Sequence, residues 1–324
     1  MKKLFILLLC TALILGGCTD KNITDVADDG KLDIIATIFP PYDFVRSIGG
    51  DKADVTMLIP PGTESHTYEP SPGDIISIEQ CDIFVYAGGE GDVWVENIID
   101  SIHSDTVFVS LMDIVPPLAE QHTEGMQTTP HQHHTHTESC DHSHEEILTE
   151  YDEHVWTSPV NANIICRYLT DAMCSIDAEN CEYYDHNYNR YSQSLKKLDS
   201  DVRETLGTAK RNTIIFADRF PIRYFTEEYG IEYFAAFPGC AAEVEPAPAT
   251  LMFLIDKVKE ENIPAVFYRE LSNRKVAQIV SEDTGAKMLQ FHSCHSVTKD
   301  EFDSGVTYLK LMEQNIANLK EALN

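Results

Sequence analysis

The chain has 324 residues, a formal net charge of −29 and nine cysteines. That acidity excludes a nucleic-acid partner and a basic membrane-binding face. About 300 residues would remain after removal of a leader, more than a single core usually serves, so two lobes are expected.

The first residues, Met1, Lys2 and Lys3, are basic, and residues 4–15 form an apolar run. The run has the length of a signal-peptide core and is shorter than the roughly 20 residues a spanning helix needs. It ends in Gly16, Gly17 and Cys18, small residues before a cysteine, as in the lipobox of a bacterial lipoprotein. Residues 1–17 are therefore read as a lipoprotein signal peptide and Cys18 as the lipidated N-terminus. Residues 18–30 would be a short acidic tether. The mature chain is expected outside the cell, anchored to the outer face of the cell membrane through that lipid. Cys10 leaves with the leader. Seven cysteines besides Cys10 and Cys18 are too many by one to pair internally, and no CxxC spacing suggests a structural zinc site.

The N-terminal lobe is expected over 31–157. Residues 32–38, 54–59, 82–86 and 106–109 read as strands. Helices are expected at 41–48, from Ser71-Pro72 in an N-cap and N1-proline arrangement, and from about Asp92. Residues 118–149 break the pattern; rich in His, Thr, Glu and Gln, they contain no core-forming run and read as a disordered or metal-ordered loop. This stretch holds His122, His131, His133, His134, His136, His142 and His144. A linking region at 158–210 shows helical spacing at Ile164, Tyr168, Leu169 and Ala172. After a break near Asp177 the spacing resumes from Tyr184 to Leu206. A helix of about 28 residues there would be roughly 40 Å long. The C-terminal lobe, 211–324, repeats the alternation, with strands at 213–217, 231–235, 265–268 and 286–290 and a last helix over 305–323. The fold class is α/β: two β/α lobes with parallel sheets joined by a long rigid helix.

Ligands of open α/β sheets bind beyond the carboxyl ends of the strands. His66 follows the second strand, Asp218 and Arg219 the fifth, and His292, Cys294 and His295 the last, while His154 stands where the first lobe meets the linking region. Residues so distant can converge only in a cleft between the lobes. Imidazole is the commonest transition-metal ligand, and zinc takes four ligands from imidazole, thiolate and carboxylate. The expected set is His66 and His154 from one lobe, Asp218 and His295 from the other.

Several segments resemble the bacterial solute-binding lipoproteins that deliver zinc or manganese to ABC importers, over nearly the whole mature chain. The most specific is Pro60-Pro-Gly-Thr-Glu-Ser-His66-Thr-Tyr-Glu-Pro-Ser-Pro72. Others are Tyr86-Ala-Gly-Gly89 with Trp94, Asp152-Glu-His154-Val-Trp-Thr-Ser-Pro159, and Arg223-Tyr-Phe-Thr-Glu-Glu-Tyr-Gly230. Tyr308, Met312 and Asn315 also match. The resemblance implies a metal between the two lobes and supports His66 and His154 as ligands. It places its third ligand at Arg219 by strict spacing. A guanidinium cannot ligate, so a one-residue shift to Asp218 is expected. The fourth falls near Ser296, with His295 as the substitute. Glu270 is a reserve ligand and His292 a possible additional one. Cys240 and Cys294 are unusual for the family; a disulfide between them is favoured over thiolate ligation. A His-rich loop marks the zinc members, so Zn2+ is expected as the transported ligand rather than Mn2+. The partners implied are the permease and ATPase subunits of a metal importer, for a monomeric carrier with no enzymatic signature. The rivals are a manganese binder, an exported zinc enzyme and a surface adhesin.

Overall fold

The computed structural model describes residues 30–63, 65, 68–127, 150–239 and 245–324. The chain divides into a short N-terminal unit, Met1–Lys31, and a body, Leu32–Asn324, which carries every strand and helix named below.

The first half of the body carries β1 (Leu32–Ala36), α1 (Phe39–Gly49), β2 (Ala53–Met57), α2 (Pro72–Gln80), β3 (Ile83–Tyr86), α3 (Val93–Ile99) and β4 (Val107–Ser110). The four strands form a parallel sheet in the order β2-β1-β3-β4. Then come α4 (Pro159–Ile176) and α5 (Cys181–Gly207). The second half holds β5 (Thr213–Phe220), α6 (Arg223–Tyr229), β6 (Glu232–Pro238), α7 (Pro248–Glu260), β7 (Ala265–Tyr268), α8 (Lys275–Thr284), β8 (Lys287–Gln290), α9 (Lys299–Asp303) and α10 (Tyr308–Ala322). Its strands form a second parallel sheet in the order β6-β5-β7-β8.

Side chains alternate across each strand, and both faces of each sheet are covered. On the inner faces, Ile34, Ala36, Ile83 and Val85 of one sheet and Ile214, Phe216, Ala265 and Phe267 of the other belong to a single apolar core. That core also contains Leu195, Leu198 and Val202 of α5. The outer faces carry two separate cores. Ile35 and Phe84 pack with Ile78 and Val95; Ile215, Ala217 and Val266 pack with Leu254 and Val280. The long helix is held by α1, α4 and α10, so both sheets are built onto one rod.

Local sequence explains the element ends. Ser71 and Asp74 form a capping box at α2, as Thr298 and Glu301 do at α9. Ser158 caps α4 ahead of Pro159. The break between α4 and α5 is set by Asp177, which accepts from Asn180 N at 3.3 Å and from Tyr184 OH at 2.6 Å. A disulfide joins Cys174 to Cys181 across that break. Cys294 is a buried free thiol, which corrects the expected bridge to Cys240; Cys240 itself lies outside the described residues. Composition shows too many cysteines, but not which pair the fold brings together.

Residues 118–127, read from sequence as the start of a disordered or metal-ordered stretch, are laid across the body. Leu118 N donates to Tyr224 OH at 3.0 Å, Ala119 bridges Tyr151, and Gln127 N donates to Ala236 O on the β6 edge at 3.0 Å. Irregular backbone lacks hydrophobic periodicity, so this order left no pattern in the sequence.

Asp43 on α1 ties the halves together at depth. Its fully buried carboxylate accepts from Tyr308 N, at the start of α10, at 2.8 Å. It also accepts from Arg46 and lies 3.4 Å from Tyr191 OH on α5. Burial pushes its carboxyl above the usual range, and the Tyr308 N–H and Arg46 pull back only part of the way. Removing the Asp43 carboxylate strands the buried Tyr308 N–H and leaves the part-exposed Arg46 without its partner. Asp43→Ala is therefore expected to cost about 3 kcal/mol in urea unfolding, with Asp43→Asn costing less because it keeps an acceptor for Tyr308 N. A loss below about 1 kcal/mol for the alanine variant, as at an ordinary surface site, would refute the clasp. The Cys174–Cys181 bridge closes only a short loop. Loop-closure entropy sets its contribution at roughly 2.5 kcal/mol, and Cys174→Ser with Cys181→Ser should lower stability by that order in the same assay.

Candidate metal centre

The carboxyl ends of both sheets feed one cleft. The first wall comes from the turn that leads into α4. Asp152 Oδ1 accepts from His154 N at 2.8 Å and lies 3.1 Å from His154 Nδ1. A carboxylate there takes the Nδ1 proton and leaves the Nε2 lone pair for a cation. His154 is 3% exposed, inside a hydrophobic and hydrogen-bonded shell. Burial works against a charge on its imidazole. The Asp152 carboxylate outweighs that, helped by Glu153 and Glu270, and the group sits above its ordinary value.

The second wall is the turn after β8. The His295 ring centroid lies 5.4 Å from that of His154, and His295 Nε2 lies 2.6 Å from Ser65 Oγ. Trp156, fully buried, packs at 5.5 Å from His154 and 5.4 Å from His295. Its indole N–H donates to Ser293 O at 2.8 Å, and its own carbonyl accepts from Tyr308 OH at 2.7 Å. One tryptophan thus holds both histidine turns.

Glu153 completes the group: one ligand atom each from Glu153, His154 and His295 lie within 4.8 Å of one another. Ligand atoms around tetrahedral zinc stand about 3.3 Å apart, so small side-chain adjustments close this set on one ion. Burial pushes the Glu153 carboxyl up to about 7, against the pull of His154. Gly91 N donates to Glu153 Oε2 at 3.2 Å. Gly89, at φ +79°, gives the carboxylate room, since a Cβ there would lie 2.9 Å from Oε2. A second group of donors, Cys174, Cys181 and Asp185, is taken out of contention by the disulfide.

The other expected ligands are placed differently. Asp218 does not join the group among the described residues. Asp218 sits where β5 shifts register, between Phe216 and Arg219. Arg219 lines the cavity of about 30 Å³ shared by His154, His295 and Glu270. Asp218 lines a cavity of about 190 Å³ with Glu245, Ser272 and Lys275, and Arg219 walls both. The Asp218 carboxylate accepts from Arg219 N at 2.8 Å and pairs with Arg269 Nε at 3.7 Å. Burial pushes it up to about 6. Of the two neighbours, Arg219 is the one that lines the cavity of His154 and His295.

Glu270 lines the metal cavity, and its carboxylate accepts from Ser293 N at 2.8 Å and from Ser293 Oγ. His292 is buried against Asn315 of α10, with its Nδ1 3.7 Å from Glu270 Oε2. Burial holds the Cys294 thiol well above its ordinary value, which disfavours a thiolate ligand there. His122 is exposed. His66, Cys18, Cys240, His131, His133, His134, His136, His142 and His144 lie outside the described residues. Sequence reasoning missed Glu153, although the carboxylate beside His154 was in plain view. Trp156 stands out in the sequence only as part of a motif, because its two hydrogen bonds reach 137 and 152 residues away.

The family described as zinc-uptake complex component A, periplasmic, matches residues 34–322. The high-affinity zinc uptake system protein ZnuA of Bacillus subtilis (strain 168) is 32% identical over 326 residues, covering 99% of this chain and 97% of that protein. The zinc-binding lipoprotein AdcA of Streptococcus pneumoniae (strain ATCC BAA-255 / R6) is 30% identical over 99% of this chain. The chain spans only 61% of AdcA. Among solved structures, the Zn(II)-bound ZnuA-like domain of Streptococcus pneumoniae AdcA superposes with a TM-score of 0.72 at 27% identity. The match covers 91% of this chain and 99% of that one. The metal-dependent lipoprotein YcdH of Bacillus subtilis gives 0.74 at 29%, covering 91% and 100%.

A cation at this centre must displace the protons of an imidazole held above its ordinary value and of a carboxyl near 7. Both groups are deprotonated above their raised values and protonated below them, so affinity falls with falling pH. Competition titrations with Zn2+ from about pH 8 to about pH 5.5 are expected to lose about one decade per pH unit for each proton displaced. Affinity that stays flat over that window would exclude these two groups as ligands.

Proposed function

This chain belongs to the zinc-uptake complex component A family, and from that membership we propose that it captures Zn2+ outside the membrane and hands it to the permease and ATPase of an ABC importer. The observation that carries the reading is the pairing of His154 and His295 across the cleft, with Asp152 orienting the first. The ligand set we propose is His66, His154 and His295, with Glu153 as the carboxylate and Glu270 in reserve. Imidazole nitrogen favours zinc over Mg2+ and Ca2+, and the affinity order places zinc above Mn2+. The site binds and releases; no catalytic step is assigned to it.

The same reading places a signal peptide at 1–17, a lipid on Cys18 and a tether over 18–30, leaving a monomer at the outer face of the membrane. It sets the lobes at 31–157 and 211–324 about a linking region at 158–210. No helix among the described residues is long and apolar enough to cross a membrane. The His-rich segment supplies weak sites that collect zinc near the cleft.

Zinc titration of the protein from Thr19 onward, against a chromophoric chelator, is expected to show one tight equivalent. Loss of a ligand should exceed the roughly 10–100-fold typical of outer-shell substitutions, for His154→Ala and His295→Ala alike. Deleting residues 128–149 should leave the tight equivalent in place and remove only weak ones. A tight equivalent that survives both alanine substitutions would sink the cleft assignment.

A further inference from the structure

The turn that presents His295 has an unusual construction. Four successive backbone N–H groups are each taken by a side chain. His292 N donates to Asn315 Oδ1 at 2.7 Å, and Ser293 N to Glu270 Oε2 at 2.8 Å. Cys294 N donates to His292 Nδ1 at 2.9 Å, and His295 N to Ser293 Oγ at 3.2 Å. Asn315 Nδ2 also donates to His292 O at 2.8 Å, so the peptide at His292 is gripped from both sides.

Within this turn Cys294 adopts φ +63°, the left-handed region that a residue with a Cβ enters only when its surroundings hold it there. The His292 ring supplies that hold. An aromatic nitrogen two residues before the amide plays the part that an asparagine or aspartate oxygen plays in an Asx turn. Asp152 does the same for His154 N at 2.8 Å in the other wall. Because Nδ1 accepts, its proton is on Nε2. That atom is buried without a hydrogen-bond partner among the described residues. The ring lines a cavity of about 10 Å³ with Glu301, Leu311, Gln314 and Asn315. This cavity is separate from the one His295 lines.

We propose that His292 is a positioning residue and not a metal ligand: its Nδ1 locks the left-handed turn at Cys294 that aims His295 into the cleft. The proposal rests on the zinc-carrier reading only for its affinity readout. The hydrogen bonds of the clamp need no metal.

Asparagine and glutamine separate the two ring nitrogens, since Asn places an acceptor where Nδ1 stands and Gln reaches the position of Nε2. In the full mature chain, His292→Asn is expected to bind Zn2+ within about threefold of the parent, whereas His292→Gln weakens it about tenfold or more, the range seen when an outer-shell partner is lost. Amide hydrogen exchange at Cys294 in the metal-free protein provides a second readout. It should stay slow in the parent and in His292→Asn and accelerate in His292→Gln. Retention by Gln with loss by Asn would make Nε2 the working atom and overturn the proposal. Equal retention by both, or equal loss by both, would overturn it as well. If His292→Gln does not fold, adding Cys294→Gly removes the left-handed penalty. Recovery of folding then supports the clamp, and continued misfolding assigns the ring to packing instead. A parent without a tight zinc equivalent would defeat the functional reading, while the exchange rates would still decide the clamp.

Discussion

Trp156 is the constraint on which the rest of the centre depends. Its ring is fully buried against the imidazoles of His154 and His295, its N–H reaches Ser293 on one wall, and its carbonyl receives Tyr308 OH from α10. A buried indole N–H without a partner costs more than a hydrogen bond gains, so the Ser293 carbonyl must come to it. That demand fixes the spacing between the turn at His154 and the turn at His295. The two histidine turns are thus held by the fold's own hydrogen bonds, and a site built on them would keep the cost of ordering its ligands out of the binding step.

The same preorganisation restricts how such a protein can respond to its cargo. The inner faces of both sheets share one apolar core with α5, and Asp43 joins α1, α5 and α10 through one buried carboxylate. Opening the sheets as rigid halves would expose that core at about 25 cal/mol per Å² of apolar surface. Residues 118–127 add a further tie, since they hydrogen-bond to Tyr224 and to the β6 edge. Changes on metal capture are therefore cheapest in the turns around the cleft, where hydrogen bonds run to side chains instead of along strands.

The fold was legible because parallel sheets write themselves plainly: short β-branched runs, Gly or Pro stops and helical spacing between. All eight strands and the interruption at Asp177 could be read this way, with strand ends shifted by a few residues. Of the proposed site, His154 is the part that a motif within one turn makes visible. A single residue of register is not visible that way: Asp218 and Arg219 are neighbours, and Arg219 rather than Asp218 lines the cavity of His154 and His295. The pairing of Cys174 with Cys181 depends on how α4 meets α5, which spacing alone does not fix.

Charge explains why the centre suits a divalent cation in particular. Burial raises Glu153 to about 7, and beyond the carboxyl end of β3 it raises Asp92 to about 6, despite amides from Ala87 and Gly88. A dry cleft makes an uncompensated carboxylate costly. A bound cation removes that cost by ionising the carboxylates it touches, so protons leave as metal arrives. Arg219 and Arg269 also line the cavity, with Arg269 paired to Asp218 at 3.7 Å and Glu270 beside them. Imidazole nitrogen suits a borderline ion such as zinc better than the hard ions Mg2+ and Ca2+, which take oxygen.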